Sequence, residues 1–215
     1  MPQYKLRRRG SSTVEFVLVA AFFLVPLILG LMSVGFSLSR SLQVAQMTRD
    51  VGRMQVRGID FSQTPNQELI TGSASRPNLP PLARGLGMAG NGAGRNSTGG
   101  TTGNGEIVLS VMTRVPQGCN CTNAGRIVVT RRIVIGNKTL ASSSYGSPTS
   151  TLIDATTGTV SNYTTDASTR ADSFSNVVNL DNGEFAFLVE SIFNFPDLAI
   201  TGVLPNPGVR TNAVF

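Results

Sequence analysis

The sequence predicts an α+β protein, with a long amino-terminal transmembrane and amphipathic helix followed by a small antiparallel β-sheet domain with long Gly/Ser/Thr-rich loops. Three observations predict it. The stretch Phe16–Ser39 runs for 24 residues without Asp, Glu, Lys or Arg, longer than the roughly 20 residues a helix needs to cross a bilayer core. Apolar residues then recur at three-to-four spacing through Leu38, Leu42, Ala45, Val51 and Met54, the period of an amphipathic helix. Beyond residue 105, stretches rich in β-branched and aromatic residues alternate at period two and end at turn signals, as strands do. Four segments result: a basic amino-terminal stretch (1–10), a transmembrane and amphipathic helix (11–58), a Pro/Gly-rich connector (59–105) and a β-rich domain placed outside the cytoplasm (106–215).

Each element has its own cause in the residues. The basic cluster Lys5, Arg7, Arg8 and Arg9 holds four of the six net positive charges and leaves +2 for the remainder. The positive-inside rule accounts for such a flank, so the high isoelectric point calls for no nucleic-acid partner. Within the helix Pro26 is the expected kink, because it has no N–H to donate. Gly58 is the expected terminator. Residues 64–105 carry little periodicity and read as an exposed loop. Their Gly85-Leu86-Gly87-Met88-Ala89-Gly90 is a formal G-x-G-x-x-G, without the strand before it and helix after it that dinucleotide binding requires. Composition explains it.

Glu106–Val115 places Ile107, Leu109 and Val111 on one strand face. Arg126–Ile135 ends at the turn signal Gly136-Asn137. PQGCNCTNAG between them forms a long hairpin loop. Glu184–Phe195 aligns Phe185, Phe187, Val189, Phe193 and Phe195, a row expected to pack against the amphipathic helix. The preceding Asp181-Asn182-Gly183-Glu184 reads as a turn rather than a calcium loop. Residues 140–181, rich in Ser, Thr and Asp, resist assignment as short strands or as a surface insertion. The tail ends in VRTNAVF, a last edge strand.

No catalytic constellation emerges. The chain has no histidine, which excludes Ser-His-Asp and Cys-His dyads and imidazole-based metal centres, and no phosphate-binding loop is present. The expectation is a non-enzyme without cofactor or metal. Cys119 and Cys121 are the one reactive-looking pair. A loop-stiffening disulfide between them is the expected state in an oxidising compartment, with pairing between subunits or no bridge as alternatives.

The amino-terminal segment admits three readings. A cleaved secretory signal has an apolar run of 7–15 residues, and this run is longer. A signal anchor accounts for the run and the charges. A leader cut on the cytoplasmic side also accounts for Gly10 and for Glu15, a carboxylate at the start of an apolar helix. Cleavage after Gly10 would make Ser11 the new amino terminus, whose amine in a neighbouring subunit is a partner for Glu15. A carboxylate inside a membrane costs about 2.5–3.5 kcal/mol on insertion scales and normally has a partner. Against this stands a local reading of equal weight: Ser12-Thr13-Val14-Glu15 matches the S/T-x-x-E capping box, with Ser12 as N-cap.

The junction RRRGSSTVEF resembles that of type IV-like pilins, most closely the TadE-like pseudopilins of tight-adherence (Tad/Flp) systems. Arg8, Arg9, Gly10, Val14, Glu15 and Phe16 carry the match. Gly30 and Gly35 correspond to the family's glycine patch, and Arg49, Gly52 and Arg53 to its helix end. Ser33 stands where the family has an acid, and Ser11 is not the phenylalanine usual at the mature start of major pilins.

The resemblance implies a minor (pseudo)pilin, anchored in the bacterial inner membrane with its amino terminus cytoplasmic and its carboxyl-terminal domain periplasmic, and reaching the cell surface in an assembled pilus. It implies cleavage between Gly10 and Ser11 by a prepilin peptidase, and assembly through Glu15 and Phe16. Its partners would be other pilin or pseudopilin subunits, the inner-membrane assembly platform and the lipid bilayer, with no nucleic acid. The alternative is an uncleaved single-pass anchor for a surface-binding domain.

Overall fold

The computed structural model describes residues 11–72, 80–88, 103–140, 142–195 and 208–215. The leader and Gly10 lie outside them, as does most of the Gly-rich part of the connector. The chain divides into two compact units, Met1–Ser39 and Arg40–Phe215.

The first unit is helical. α1 (Ser11–Val19) passes through a π-helical turn at Ala20–Leu24 into α2 (Val25–Val56). The π turn is the structural answer to Pro26. In an unbroken α-helix the proline ring would collide with the carbonyl four residues back and leave it without a donor. Widening the preceding turn, with the Val25 N–H donating to the Ala20 carbonyl, absorbs the misfit. Its 18-residue core has a mean hydropathy of 2.7 and no residue buried by protein.

The second unit begins at Arg40. α2 buries Val44, Met47, Thr48, Val51 and Gly52 along one face. It ends as expected at Gly58, whose φ of 88° suits a residue without Cβ. The Gly58 N–H donates to the Gln55 carbonyl and the Ile59 N–H to the Met54 carbonyl, the paired bonds of a Schellman stop. Met54 and Ile59 both pack against the adjoining core.

The sheet has four antiparallel strands in the order β2-β1-β3-β4: β1 (Gly105–Arg114), β2 (Ile127–Gly136), β3 (Phe185–Asn194) and β4 (Gly208–Val214). The α+β architecture expected from the sequence is present, with each expected strand within one residue of its place. One face carries Ile107, Leu109, Ile133, Ile135, Val189 and Phe193, which join Val44, Met47 and Val51 of α2 in a single core. At its centre Thr48 and Ser191 meet, hydroxyl to hydroxyl, at 2.8 Å, while Thr48 also bonds the Val44 carbonyl. One proton per hydroxyl makes Thr48 the donor to Val44 and Ser191 the donor to Thr48.

Two expectations need correction. The phenylalanine row is only half covered. Val189, Phe193 and Phe195 are buried with α2, whereas Phe185 is 64% exposed and stacks edge-on against half-buried Phe187. The connector is not simply exposed. It contains α3 (Thr64–Thr71), with Ile70 buried, and a turn that sends Ala83, Leu86 and Met88 into the core. Gly85 and Gly87 of the formal dinucleotide motif take positive φ in that turn; Ala89 and Gly90 lie outside the described residues.

Residues 142–181, unassigned from sequence apart from their composition, cover the second sheet face. They consist of short 3-10 turns at Ser150–Leu152, Ala167–Thr169 and Asp172–Asn176 with isolated bridges to β2. They supply Val160, Ala171, Phe174 and Leu180 to a second core with Met112, Ile127, Val129, Ala186 and Leu188. The second unit is thus layered as helices, sheet and irregular cover, with apolar cores on both sheet faces.

Asp60, just past the end of α2, ties that turn to the sheet. Its carboxylate accepts from the Ser62 N–H and from the Arg131 guanidinium. Partial burial acts to raise the carboxyl pKa, but the hydrogen bonds from Ser62 and Arg131 outweigh it, and the group lies below its usual 3.8. Exposed Asp154 and Asp166 are lowered too, mainly by hydrogen bonds from Thr157 and Ser168 respectively. A carboxyl depressed on folding contributes stability that is present above its unfolded value and lost as pH falls through its folded one. We expect thermal stability of the full chain in detergent to hold above pH 3.8 and to fall below it. Asp60→Asn should make that acid limb shallower and, the pair being partly exposed, cost less than about 1 kcal/mol at neutral pH. An unchanged acid limb would show that Asp60 is not one of the groups responsible.

Candidate functional site

The residues singled out at the amino terminus lie along a helix that is exposed among the described residues. Glu15 is exposed on α1, and Phe16 next to it is 69% exposed. α1 is described from Ser11, with Ser12 in its first turn. Glu15 lies four residues from Ser11, one turn along the same helix.

The apolar surface continues through Phe22, Phe23, Leu27, Leu31 and Phe36, each at least 60% exposed. A contiguous apolar surface of this kind belongs to lipid or to partner helices. Gly30 and Gly35 sit in α2 with nothing within 4 Å of where a Cβ would stand. Each costs the helix about 1 kcal/mol relative to alanine, and no contact among the described residues requires either. Small residues on membrane helices allow close approach of a second backbone.

Gly52 is different. A Cβ there would meet Cε2 of Phe215 at 2.0 Å, so this glycine seats the final aromatic ring within the chain itself.

Cys119 and Cys121 are joined by a disulfide, with Cα atoms 5.3 Å apart, in the loop between β1 and β2. The loop is fixed beside the bridge by Asn123, which is fully buried. Its amide nitrogen donates to the Tyr163 and Asp166 carbonyls, and its oxygen accepts from Arg170. Because the bridge closes only a three-residue loop, chain entropy gives it about 1.6 kcal/mol. Cys119→Ser with Cys121→Ser should therefore lower the urea midpoint modestly and leave the sheet intact. A loss several times larger would mean that the bridge, not Asn123, organises the loop.

Sequence reasoning missed a buried ionic cluster on the second sheet face. Glu106, Ser110, Arg132 and Glu190 are all buried there. Arg132 donates to Ser110 Oγ on β1 at 3.2 Å, to the Gly146 carbonyl at 2.8 Å, to the Tyr145 carbonyl at 3.1 Å and to Ser143 Oγ at 3.2 Å. The Ser143 hydroxyl in turn donates to Glu190 Oε2. Glu190 Oε1 accepts from the Ser144 N–H at 3.0 Å and from Arg210 of β4 at 3.2 Å. Burial pushes the Arg132 guanidinium down to about 10, against the raising influence of Glu190 and Glu106; it remains charged at neutral pH. A cavity of about 230 Å³ lies beside the cluster, lined by Glu106, Arg132, Lys138 and Ser143 among others. Arg132 and Glu190 are joined through the Ser143 hydroxyl and each bonds the 143–146 strap, which makes this a cross-link between cover and sheet. Asp181–Glu184 forms a turn closed by its own side chain, with the Asp181 N–H donating to Glu184 Oε2 at 2.8 Å.

An uncovered apolar helix long enough to span a bilayer, followed by a small antiparallel α+β domain, defines the class: a protein with a single-pass membrane anchor. Within that class, residues 10–53 match the family model described as TadE-like protein, which covers the leader junction, the span and most of α2. The match takes in Gly10, Val14, Glu15 and Phe16 of the junction that resembles the TadE-like one. Residues 54–215 lie outside the match. No curated protein and no solved structure matches the chain.

Proposed function

We propose that this chain is a minor pseudopilin of a Tad/Flp-type pilus or secretion assembly. It is inserted as a single-pass inner-membrane protein with its carboxyl-terminal domain in the periplasm, cut after Gly10 by a prepilin peptidase, and incorporated through the helix that begins at Ser11. In the assembly Glu15 accepts the Ser11 amine of a neighbouring subunit, and Phe16 packs beside that pair. The platform that extracts the subunit from the membrane is its third partner. The observation that supports this reading is the family match from Gly10 to Arg53, which takes in an apolar stretch and two glycines, Gly30 and Gly35, that none of the described residues covers. The role is structural, so no catalytic residue is assigned.

Amino-terminal sequencing of the protein from a host with a competent peptidase tests the reading directly. The expected mature start is Ser11. Retention of Met1–Gly10 in that host would overturn it and leave an uncleaved, membrane-anchored surface-binding protein.

A further inference from the structure

We propose that β4 is a pairing edge, through which two copies of this chain join, β4 against β4 about a twofold axis at Thr211, into one continuous antiparallel sheet. The contact lies wholly within the second compact unit and goes beyond assembly through the helix. The order β2-β1-β3-β4 leaves β2 and β4 at the two edges of the sheet. The outer edge of β2 is closed by the cover. The Arg132 N–H donates to the Gly158 carbonyl at 2.7 Å, the Val160 N–H to the Thr130 carbonyl at 2.9 Å and the Ala171 N–H to the Ile127 carbonyl at 2.9 Å.

The outer edge of β4 has no such cover among the described residues. Phe187 and Phe215 exchange both backbone hydrogen bonds at 2.9 Å, which sets the phase of the ladder. Ala213, Thr211 and Val209 follow at every second residue and turn their N–H and C=O groups to Val189, Ser191 and Phe193 of β3. Gly208, Arg210, Asn212 and Val214 therefore turn theirs outward, where no hydrogen bond from the described residues reaches them. Open backbone groups of this kind are a template for another strand, and edges are commonly blocked by proline, a bulge or lysine. β4 has none of these: it reads GVRTNAV and pairs with β3 without a register shift. Arg210 does not block it either, because its guanidinium is turned to Glu190 Oε1 at 3.2 Å and to the Ser142 carbonyl at 2.9 Å.

The occupant that fits is a second β4. Setting Gly208 opposite Val214 of the second copy, and Arg210 opposite Asn212, uses every outward group on both strands. No like charges then face each other. Thr211 meets Thr211 on the axis, a favourable cross-strand pair, and Val209 meets Ala213. Because the β2 edge is closed, pairing ends at two copies. An edge joined to itself makes a closed dimer, not a fibre.

Thr211→Cys in a full chain that also carries Cys119→Ser and Cys121→Ser tests this pairing. Facing residues at a position without backbone hydrogen bonds have Cα atoms about 4.5 Å apart, within disulfide range. Under mild oxidation in detergent, Thr211→Cys is expected to cross-link roughly a hundredfold faster than a Val177→Cys reference, because pairing raises the effective concentration of one thiol at the other. Val177 is 48% exposed on the cover, so the reference reports chance collision. Adding Asn212→Pro should abolish the advantage, since proline there removes an outward N–H and leaves the bonds to β3 in place. Amide exchange at Arg210 and Asn212 of the unsubstituted chain, expected to slow as concentration rises, gives a reading independent of how the proline variant folds.

Equal cross-linking rates for Thr211→Cys and Val177→Cys would overturn the pairing. So would cross-linking that persists undiminished in a folded Asn212→Pro chain, or amides at Arg210 and Asn212 that exchange fast at every concentration. Protection of those amides that requires a different protein would give the edge to that protein and overturn the second copy. None of these outcomes bears on cleavage after Gly10, which amino-terminal sequencing reads separately.

Discussion

Glu15→Gln is expected to abolish incorporation into pili while leaving membrane insertion intact. The 24 residues from Phe16 to Ser39 span about 36 Å as a helix, against a hydrocarbon core of about 30 Å. Glu15 and Arg40 therefore both fall near the headgroup layers while the subunit is in the bilayer. There the carboxylate stays hydrated at low cost. That balance changes when the helix packs among other apolar helices, because a carboxylate withdrawn from water needs a cationic partner. In the proposed assembly a neighbouring Ser11 amine would meet that need only after cleavage, which would link maturation to assembly.

Glutamine keeps the shape and hydrogen-bonding capacity of glutamate and removes the charge. A local role in α1, or insertion itself, would survive the change. Breaking a buried pair costs about 3–5 kcal/mol, on the order of a hundred- to thousand-fold in an association constant. The comparison is of membrane and sheared-pilus fractions by immunoblot. Wild-type amounts in the pilus fraction would remove Glu15 from assembly and return it to a role within its own helix.

The sequence announced the elements whose pattern is periodic. The span, the Gly58 stop and the alternation in β1 and β3 are each written in local residue order, and each stands where that order places it. The cover over the second sheet face was not legible, because residues 142–181 contribute buried apolar side chains singly, from short turns, with no repeat to detect. α3 escaped for a similar reason: an eight-residue helix that buries Ile70 and Gln67 has too few turns to establish a period. The residues proposed for cleavage and assembly stand out because a basic cluster, a glycine and an isolated acid are local features. The Arg132 cluster was not. In RIVVTRRIVI adjacent arginines suggest a solvent face.

The reason is a β-bulge. Val111 pairs with Arg131 and Met112 with Val129, which leaves Thr130 as the extra residue of β2. The alternation resets there, so Val129 and Arg132 share a sheet face despite their odd separation. Arg131 faces Asp60 on the helix side, while Arg132 faces Glu190 and the strap on the other. Two consecutive cations thus serve two opposite layers, and no pattern of single-strand period two predicts that division.

Arg132→Ala should be the most damaging single change within the folded domain. It removes the donors to Ser110, Ser143, Tyr145 and Gly146 together. It also takes the nearest buried cation from Glu190, which is 1% exposed. Loss of one partner from a buried charge network costs about 3–5 kcal/mol, a large share of the roughly 5–15 kcal/mol that holds a domain folded. The lowered pKa of Arg132 shows that its charge is held at a cost, so the network is not a reservoir of surplus stability. A base with a lowered pKa disfavours the folded state while charged, and relief comes only as pH rises through about 10.

The combination Arg132→Met with Glu190→Gln should accordingly be less destabilising than Arg132→Ala alone, since it removes both charges and preserves volume. Urea midpoints measure the cost, and amide exchange across residues 142–148 reports whether the strap has lifted. A loss below about 1 kcal/mol for Arg132→Ala, with exchange unchanged, would mean that the second core of Val160, Phe174 and Leu180 holds the cover without it. Loss of protection confined to the strap would instead locate the cross-link where the hydrogen bonds put it, at Ser143 between Arg132 and Glu190.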